Sequence, residues 1–129
     1  MRDFRELKVW QKSHALTRAV YKATTVFPKE EIYGLTSQLR RASVSIPANV
    51  AEGCCRKGKD DFARFLQIAA GSASELEYLL LLSYEIELLK EAQYELLSSQ
   101  VTEVKRMLTS FMQKLRAGEV PASDFKTDN

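Results

Sequence analysis

The chain is poor in the residues from which most active sites and metal centres are built. Its 129 residues include one histidine, one tryptophan, two cysteines, three prolines and five glycines. With His14 as the only imidazole, a histidine-based metal cluster within one subunit is excluded. The serines have no nucleophile-elbow context, and neither a glycine-rich phosphate loop nor an H-E-x-x-H helix is present. We therefore expect a non-enzymatic protein with no catalytic residues, no metal and no cofactor.

The chain also lacks paired cysteine motifs and long apolar runs. Cys54 and Cys55 are adjacent, whereas metal and redox motifs need a spacer that turns both sulfurs to one point. We expect two reduced thiols near a helix end. No apolar run approaches the roughly 20 residues that span a bilayer, and the start MRDFRELKVWQKS has no apolar signal-peptide core. These absences predict a cytoplasmic protein without a membrane segment.

Charge is distributed unevenly along the chain. Residues 1–66 hold thirteen Lys/Arg and seven Asp/Glu, a balance of +6, whereas residues 67–129 hold six and ten, a balance of −4, which together give the net +2. Such asymmetry fits a basic face for an anionic partner. It equally fits complementary halves that attract each other across an interface, and the sequence leaves both interpretations open.

Turn residues divide the chain into four helical segments. The first turn lies within FPKEEIYG, residues 27–34. The second is GCCRKGKD, residues 53–60, in which the first glycine is predicted to end one helix and Asp60 or Asp61 to cap the next. A short third join is expected near residues 89–92, where no strong breaker stands. The sequence thus predicts an all-α protein.

The last helical segment has the clearest periodicity. Its apolar residues alternate spacings of three and four, which is typical of a helix packed at a shallow angle in a bundle: Tyr94, Leu97, Val101, Val104, Leu108, Phe111 and Leu115. Gly118 and Pro121 end this segment. We therefore predict one domain over residues 1–118 and a flexible polar tail over residues 119–129.

Two other segments carry more apolar surface than one bundle core requires. The first segment has a core face of Val9, Leu16, Val20, Ala23 and Phe27, and beside it a second stripe of Leu7, Trp10, His14 and Tyr21. The third has four consecutive leucines, Leu79 to Leu82, which point almost all the way round a helix. Both features predict self-association.

The second segment contains SVSIPANVAEG, in which Pro47 interrupts a helical pattern. A proline inside a helix removes one backbone hydrogen bond and costs about 3 kcal/mol, so we predict a kink near Pro47. A polar line follows one face of this helix beside an apolar line. We expect it to be a hydrogen-bonded set that fixes helix register, with Arg41 and Glu52 as a charged pair; the alternative is a polar site that faces a ligand or an oligomer channel. Its members are Gln38, Arg41, Ser45, Asn49 and Glu52.

Basic residues cluster in sequence around the second turn. Such groups neutralise phosphates without reading base sequence, although a solvated loop fits the pattern as well. No aromatic side chain lies between Arg56 and Lys59 to stack a base. The candidate nucleic-acid-binding residues are Arg40, Arg41, Arg56, Lys57, Lys59 and Arg64.

The order and spacing of several motifs resemble one known family. FRELKVWQKSHALTRAVYKAT, FPKEEIYGLTSQLRRASVSIPANVAEG and DFARFLQIAAGSASELE are similar to the four-helix-bundle proteins encoded by intervening sequences in bacterial 23S ribosomal RNA genes. The resemblance covers residues 4–77 in motif detail and extends to residue 115 in pattern. The adjacent cysteines and the mild net charge depart from the usual family pattern, and the second departure weakens any transfer of nucleic-acid binding.

The resemblance implies an up-down four-helix bundle that assembles into a homopentameric barrel, and it implies no catalytic residues. It also implies kinship with the accessory variability determinant of diversity-generating retroelements, a basic pentamer that works with nucleic acid. The leading hypothesis is therefore a non-enzymatic oligomer that binds RNA, or an RNA-containing complex, through basic surface residues. The alternative is a structural protein–protein interaction module without nucleic-acid binding.

Overall fold

The computed structural model describes residues 3–118 and residue 124. Within them, two short 3₁₀ turns, Phe4–Glu6 and Lys29–Glu31, accompany four α-helices. Each helix packs against its neighbours in the chain, and the first also packs against the last. The prediction of an all-helical, four-helix protein is confirmed. The helices are α1 (Lys8–Thr24), α2 (Leu35–Cys54), α3 (Lys59–Glu85) and α4 (Glu91–Arg116).

The core lies where the apolar periodicities meet. Six of the seven predicted α4 positions are buried, and the seventh, Tyr94, is half-buried and stacks on Tyr84 with ring centroids 4.7 Å apart. The predicted core face of the first segment is buried in the same cluster, and so is the apolar line of α2, which consists of Leu35, Leu39, Ala42, Ile46 and Val50. The predicted tail, residues 119–129, lies outside the described residues apart from Asp124, whose carboxylate is 3.0 Å from Lys114 Nζ.

Helix α3 is not covered on all sides. Leu79 and Leu80 are buried and Leu82 is half-buried, but Leu81 keeps 39% of its surface exposed. Of the described helices, only this one is long and apolar enough to cross a membrane by length and composition. The core helix of an ordinary helical bundle has the same length and composition.

One predicted helix end is wrong. The N-cap of α3 is Gly58, with Asp60 and Asp61 in the first turn of α3. The other prediction is close, since α2 ends at Cys54, one residue beyond Gly53. Gly53 is needed for close approach: a Cβ there would lie 2.8 Å from Phe65 Cβ. The carboxylates in the first turn complement the positive end of the helix dipole without capping it.

The third turn lies at residues 86–90, ahead of the predicted join near residues 89–92. The Ser83 carbonyl accepts hydrogen bonds from the backbone N–H groups of Leu88, at 2.8 Å, and Leu89, at 3.2 Å. Glu87 makes this possible with a left-handed φ of 67°. Glycine usually takes such a position. Because Glu87 stands there instead, the sequence has no helix breaker where α3 ends.

Helix α2 runs continuously through the buried Pro47. Since proline has no N–H, the Ser43 carbonyl four residues earlier loses its helical donor. Thr17 of α1 replaces it: its Oγ1 donates a 2.7 Å hydrogen bond to Ser43 O and also lies 3.0 Å from Ser13 O. The predicted kink stays a prediction. The hydrogen bond that Pro47 removes from α2 is replaced by one from Thr17 of α1.

Candidate nucleic-acid interface

The polar line of α2 divides between an internal part and an open part. Ser45 Oγ is 2.7 Å from Ser72 Oγ of α3, and Asn49 Nδ2 donates to Ser45 O at 2.7 Å and to Ser45 Oγ at 3.1 Å. Gln38 and Arg41 are exposed and line an open cleft of about 340 Å³ between α2 and α3. Ser45 therefore joins α2 to α3, Asn49 hydrogen-bonds to Ser45 within α2, and Gln38 and Arg41 face solvent.

The predicted Arg41–Glu52 ion pair is wrong. Glu52 Oε1 lies 2.9 Å from Arg56 Nη2, one turn further along. Eleven residues separate Arg41 from Glu52, which is about 16 Å along a helix at 1.5 Å per residue. A shared face does not bring side chains together over that distance.

The basic residues predicted as one set occupy two separate places. Arg40 and Arg41 lie near the start of α2, about 20 Å along the helix axis from its end. The other four lie at the second turn and the start of α3. The structure therefore does not bring the six residues into one surface: Arg40 and Arg41 at one end, and Arg56, Lys57, Lys59 and Arg64 at the other.

Acidic neighbours neutralise much of the charge at the second turn. Arg56 pairs with Glu52 and lies 3.8 Å from Asp61, and Arg64 pairs with the same Asp61 at 2.9 Å. Both guanidinium groups rest on the Phe65 ring, 4.8 Å and 4.6 Å from its centroid. These contacts hold both arginines in place and reduce the positive charge available to a polyanion.

The two lysines of the turn differ. Lys59 Nζ donates a 2.9 Å hydrogen bond to the Gly118 carbonyl at the end of α4. Lys57 is exposed and makes no ion pair with another described residue. With Asp60 included, the turn holds four basic and three acidic residues, so its net charge is only +1.

Helix α1 is the more basic surface, and the sequence-based interpretation missed it. It carries four Lys/Arg and no Asp/Glu. Lys12 pairs with Glu103 of α4 at 3.2 Å, whereas Lys8, Arg18 and Lys22 are exposed and have no ion-pair partner among residues 3–118 and 124. The available signal was the acid-free run from residue 7 to residue 29, which is less conspicuous than a compact basic motif.

The charges of α1 oppose its own stability. Lys8 lies in the first turn, where no acidic residue stands, although the helix dipole favours negative charge there by about 0.3–1 kcal/mol. Lys8 with Lys12, and Arg18 with Lys22, are like-charged pairs four residues apart, each destabilising by about 0.2–0.5 kcal/mol. Folding favours Lys22, which lies in the last turn, and Lys12, which pairs with Glu103, but it gives no reason for the positions of Lys8 and Arg18.

The second stripe of α1 is only partly covered. Leu7 is fully buried, Trp10 is half-buried, and His14 and Tyr21 are exposed. The Phe4 ring covers part of Trp10 edge-on, with centroids 5.0 Å apart. Contacts within the subunit therefore cover Leu7 and part of Trp10. Self-association through the exposed His14 and Tyr21 stays a prediction.

A family model described as 23S rRNA-intervening sequence protein matches residues 5–110. The chain belongs to this family. The resemblance stated from the motifs is therefore confirmed. The four-helix arrangement of the described residues agrees with it.

The chain is similar to a crystal structure from Bacteroides thetaiotaomicron, described as a protein of unknown function from the S23 ribosomal protein family. The identity is 29%, the match covers 81% of this chain and 98% of that one, and the TM-score is 0.74. No curated protein matches the chain. Neither the family's description nor the relative's names an enzymatic activity.

The described residues contain no group of three or more His, Cys, Asp or Glu that could hold a metal ion. Neither of the two cysteines is in a disulfide; Cys54 is buried and Cys55 is exposed. Burial raises the pKa of Cys54, and the adjacent Cys55 adds to the rise. The thiol with a raised pKa is the less reactive one, because the thiolate is the nucleophile.

Proposed function

We propose that the protein is a non-enzymatic RNA-binding member of the intervening-sequence family that binds phosphates along α1. The observation that carries the proposal is the row of exposed cations on this helix that have no ion-pair partner among the described residues, namely Lys8, Arg18 and Lys22. Lys8 and Lys22 are fourteen residues apart, which spreads the row over about 21 Å. A polyanion laid along it would relieve the repulsion within α1 and release counterions.

Arg40 extends this surface from α2. Its guanidinium lies 4.7 Å from the centroid of the Tyr21 ring, and its Nε donates a 3.0 Å hydrogen bond to Thr24 Oγ1. The group is half-buried and held in one orientation by α1. Of the residues proposed from the sequence, Arg40 is therefore best placed to act with Arg18 and Lys22, and the second turn becomes an auxiliary surface.

Salt dependence tests the proposal. Fluorescence anisotropy of a labelled RNA hairpin should show log affinity falling linearly with log salt between about 50 and 200 mM. Each lost phosphate contact reduces the slope by about 0.7–0.9. Replacing three α1 cations should therefore reduce it by about 2–3, in the variant Lys8→Gln/Arg18→Gln/Lys22→Gln.

Two further triple variants make the comparison specific. Lys90→Gln/Arg106→Gln/Arg116→Gln removes the same charge from exposed positions at and along α4 and should leave the slope nearly unchanged. Arg56→Gln/Lys57→Gln/Lys59→Gln tests the second turn and should have a smaller effect than the α1 variant. Absence of RNA binding at low salt, or equal slopes for the α1 and α4 variants, would overturn the proposal.

We also propose that the protein works as a homo-oligomer, with the pentamer that the family resemblance implies as the expected form. Support comes from apolar side chains left at the surface, among them Tyr33, 95% exposed, Val26, 77%, and Leu96, 61%. Self-association would bring several α1 rows to one RNA and raise its avidity. Light scattering with mass determination at micromolar concentration tests this, and a monomer would contradict it.

One groove favours the alternative, a protein–protein interaction module. Between the end of α1 and the start of α4 an apolar groove of about 420 Å³ is lined by residues that include Ala23, Val26, Leu96 and Leu97. An exposed apolar groove of this kind fits a partner's side chains. A protein partner that stays bound after nuclease treatment and is released by Leu96→Gln would favour this alternative over RNA binding.

A further inference from the structure

The exposed side of α1 carries a row of rings beside its row of cations. The Trp10 and His14 rings are stacked, with centroids 4.8 Å apart and an interplanar angle of 9°. Tyr21 lies seven residues beyond His14, about 10 Å along the helix axis, and is 42% exposed. At 100° per residue these three positions fall within about 40° of one another, so they form one edge of the helix.

The cations follow directly beside this aromatic edge, which we define as Trp10, His14 and Tyr21. Arg18 lies about 40° beyond His14 around the helix, and Lys22 about 80° beyond it, toward α4. If the phosphates of a nucleic-acid strand contact these cations, its bases can reach the rings on the side of α1 that faces α2. The combination of a cationic row and adjacent rings is the arrangement by which proteins bind single-stranded nucleic acid.

Packing within the protein already orients the rings. Trp10 is held between Phe4 and His14, and the Arg40 guanidinium covers one face of Tyr21 at 4.7 Å. Bases stack on guanidinium planes as well as on aromatic rings. The aromatic edge therefore offers stacking surfaces whose order is largely established before a ligand arrives, which limits the entropy lost on binding.

We propose that α1 selects unpaired RNA, with bases stacked on the aromatic edge and phosphates on Arg18 and Lys22. This inference rests on the RNA binding proposed above and adds the class of RNA. Phosphate contacts alone do not require unpaired bases. Rings stack only on bases that are free of a duplex, so the aromatic edge discriminates against paired RNA.

The single tryptophan supplies the assay. Trp10 fluorescence should be quenched when a 12-nucleotide oligouridine or oligoadenosine binds, and much less by a 12-base-pair RNA duplex at equal phosphate concentration. We expect the single strands to bind at least about 5-fold more tightly than the duplex. In the variant His14→Ala/Tyr21→Ala, affinity for the single strands should fall about 10-fold or more, since each stacked base is lost with its ring.

Matched variants separate stacking from other effects. Tyr78→Ala removes a tyrosine of α3 that is 58% exposed and away from the aromatic edge, and it should leave affinity unchanged. Tyr21→Phe keeps the ring and should retain binding. The salt slope of His14→Ala/Tyr21→Ala should stay near that of the parent protein, because no phosphate contact is removed.

The outcomes distinguish this inference from the proposed function. Duplex binding as tight as single-strand binding, or unchanged affinity in His14→Ala/Tyr21→Ala, overturns the inference; the proposed function stands if the α1 charge variant still loses its salt slope. A fall in oligomer mass in the ring variant without loss of affinity overturns the inference as well, since it assigns the aromatic edge to a subunit contact. If no RNA of either kind binds, both proposals fail.

Discussion

The hydrogen bond between Thr17 and Ser43 gives the sharpest test of how the fold accommodates a proline inside α2. Because Pro47 offers no N–H, the Ser43 carbonyl depends on Thr17 Oγ1 at 2.7 Å. Thr17→Val keeps the shape of the side chain and removes the donor. Both groups are buried, and an unsatisfied buried carbonyl costs about 1–3 kcal/mol. For a chain of this length each kcal/mol lowers Tm by roughly 3–6 °C.

A double-mutant cycle isolates this hydrogen bond. Pro47→Ala restores the backbone N–H that can donate to Ser43 O within α2, so Thr17→Val should cost about 1 kcal/mol less in that background. The single effect of Pro47→Ala also includes the loss of buried ring contacts, and the cycle cancels that contribution. Urea unfolding followed by circular dichroism at 222 nm measures all four free energies of unfolding.

Ser83→Ala is the matched control. Ser83 is also buried, and its Oγ donates a 2.7 Å hydrogen bond to Leu79 O within α3. That carbonyl keeps its helical donor when the hydroxyl is removed, so the substitution should cost less than Thr17→Val. An equal cost of Thr17→Val with and without Pro47, to within about 0.5 kcal/mol, would refute the assignment of Thr17 as the replacement donor.

Two further predictions concern Gly53 and the cysteines. Gly53→Ala should destabilise the protein by about 1–3 kcal/mol through overpacking, because the new Cβ would lie 2.8 Å from Phe65 Cβ. Gly71 has open space around it, so Gly71→Ala should stabilise the protein by about 0.5–1 kcal/mol. Equal urea midpoints for the two variants would contradict this prediction. Burial raises the pKa of Cys54, so iodoacetamide at pH 8 should alkylate Cys55 first, as peptide mass spectrometry would show. Equal alkylation rates for the two thiols would contradict this order. Because the folded-state pKa of Cys54 lies above its unfolded value, its contribution to stability is complete below the unfolded pKa and is lost as pH rises through the folded pKa.

Local periodicity made most of the fold predictable, and long-range contacts explain the errors. The α4 pattern was correct because spacings of three and four leave one helical face to bury. Gly53 lies one residue before the end of α2, as predicted, but its close approach to Phe65 depends on a long-range contact that the sequence does not show. The end of α3 was missed because Glu87, at a φ of 67°, occupies a position where glycine is expected.

The candidate site was harder to predict, because sequence clustering is a poor guide to free charge. Arg56 and Arg64 stand in a basic run, yet Glu52 and Asp61 together neutralise them. Arg40 stands beside Arg41 in sequence but packs on Tyr21 of another helix. Which cations remain unpaired is decided by contacts between elements, and the even spread of charge on α1 produces no compact motif.

The segment from Ser43 to Gly53, which is part of the family resemblance, consists largely of residues with a structural role, and this directs attention to α1. The Ser43 carbonyl, which Pro47 leaves without a helical donor, accepts a hydrogen bond from Thr17; Ser45 bonds to Ser72, and Gly53 admits the Phe65 side chain. None of these groups is left free for a ligand. In α1 the reverse holds, because its exposed cations and rings add little to packing and its like charges reduce stability. A feature that costs stability and has no structural role is where we expect function to reside.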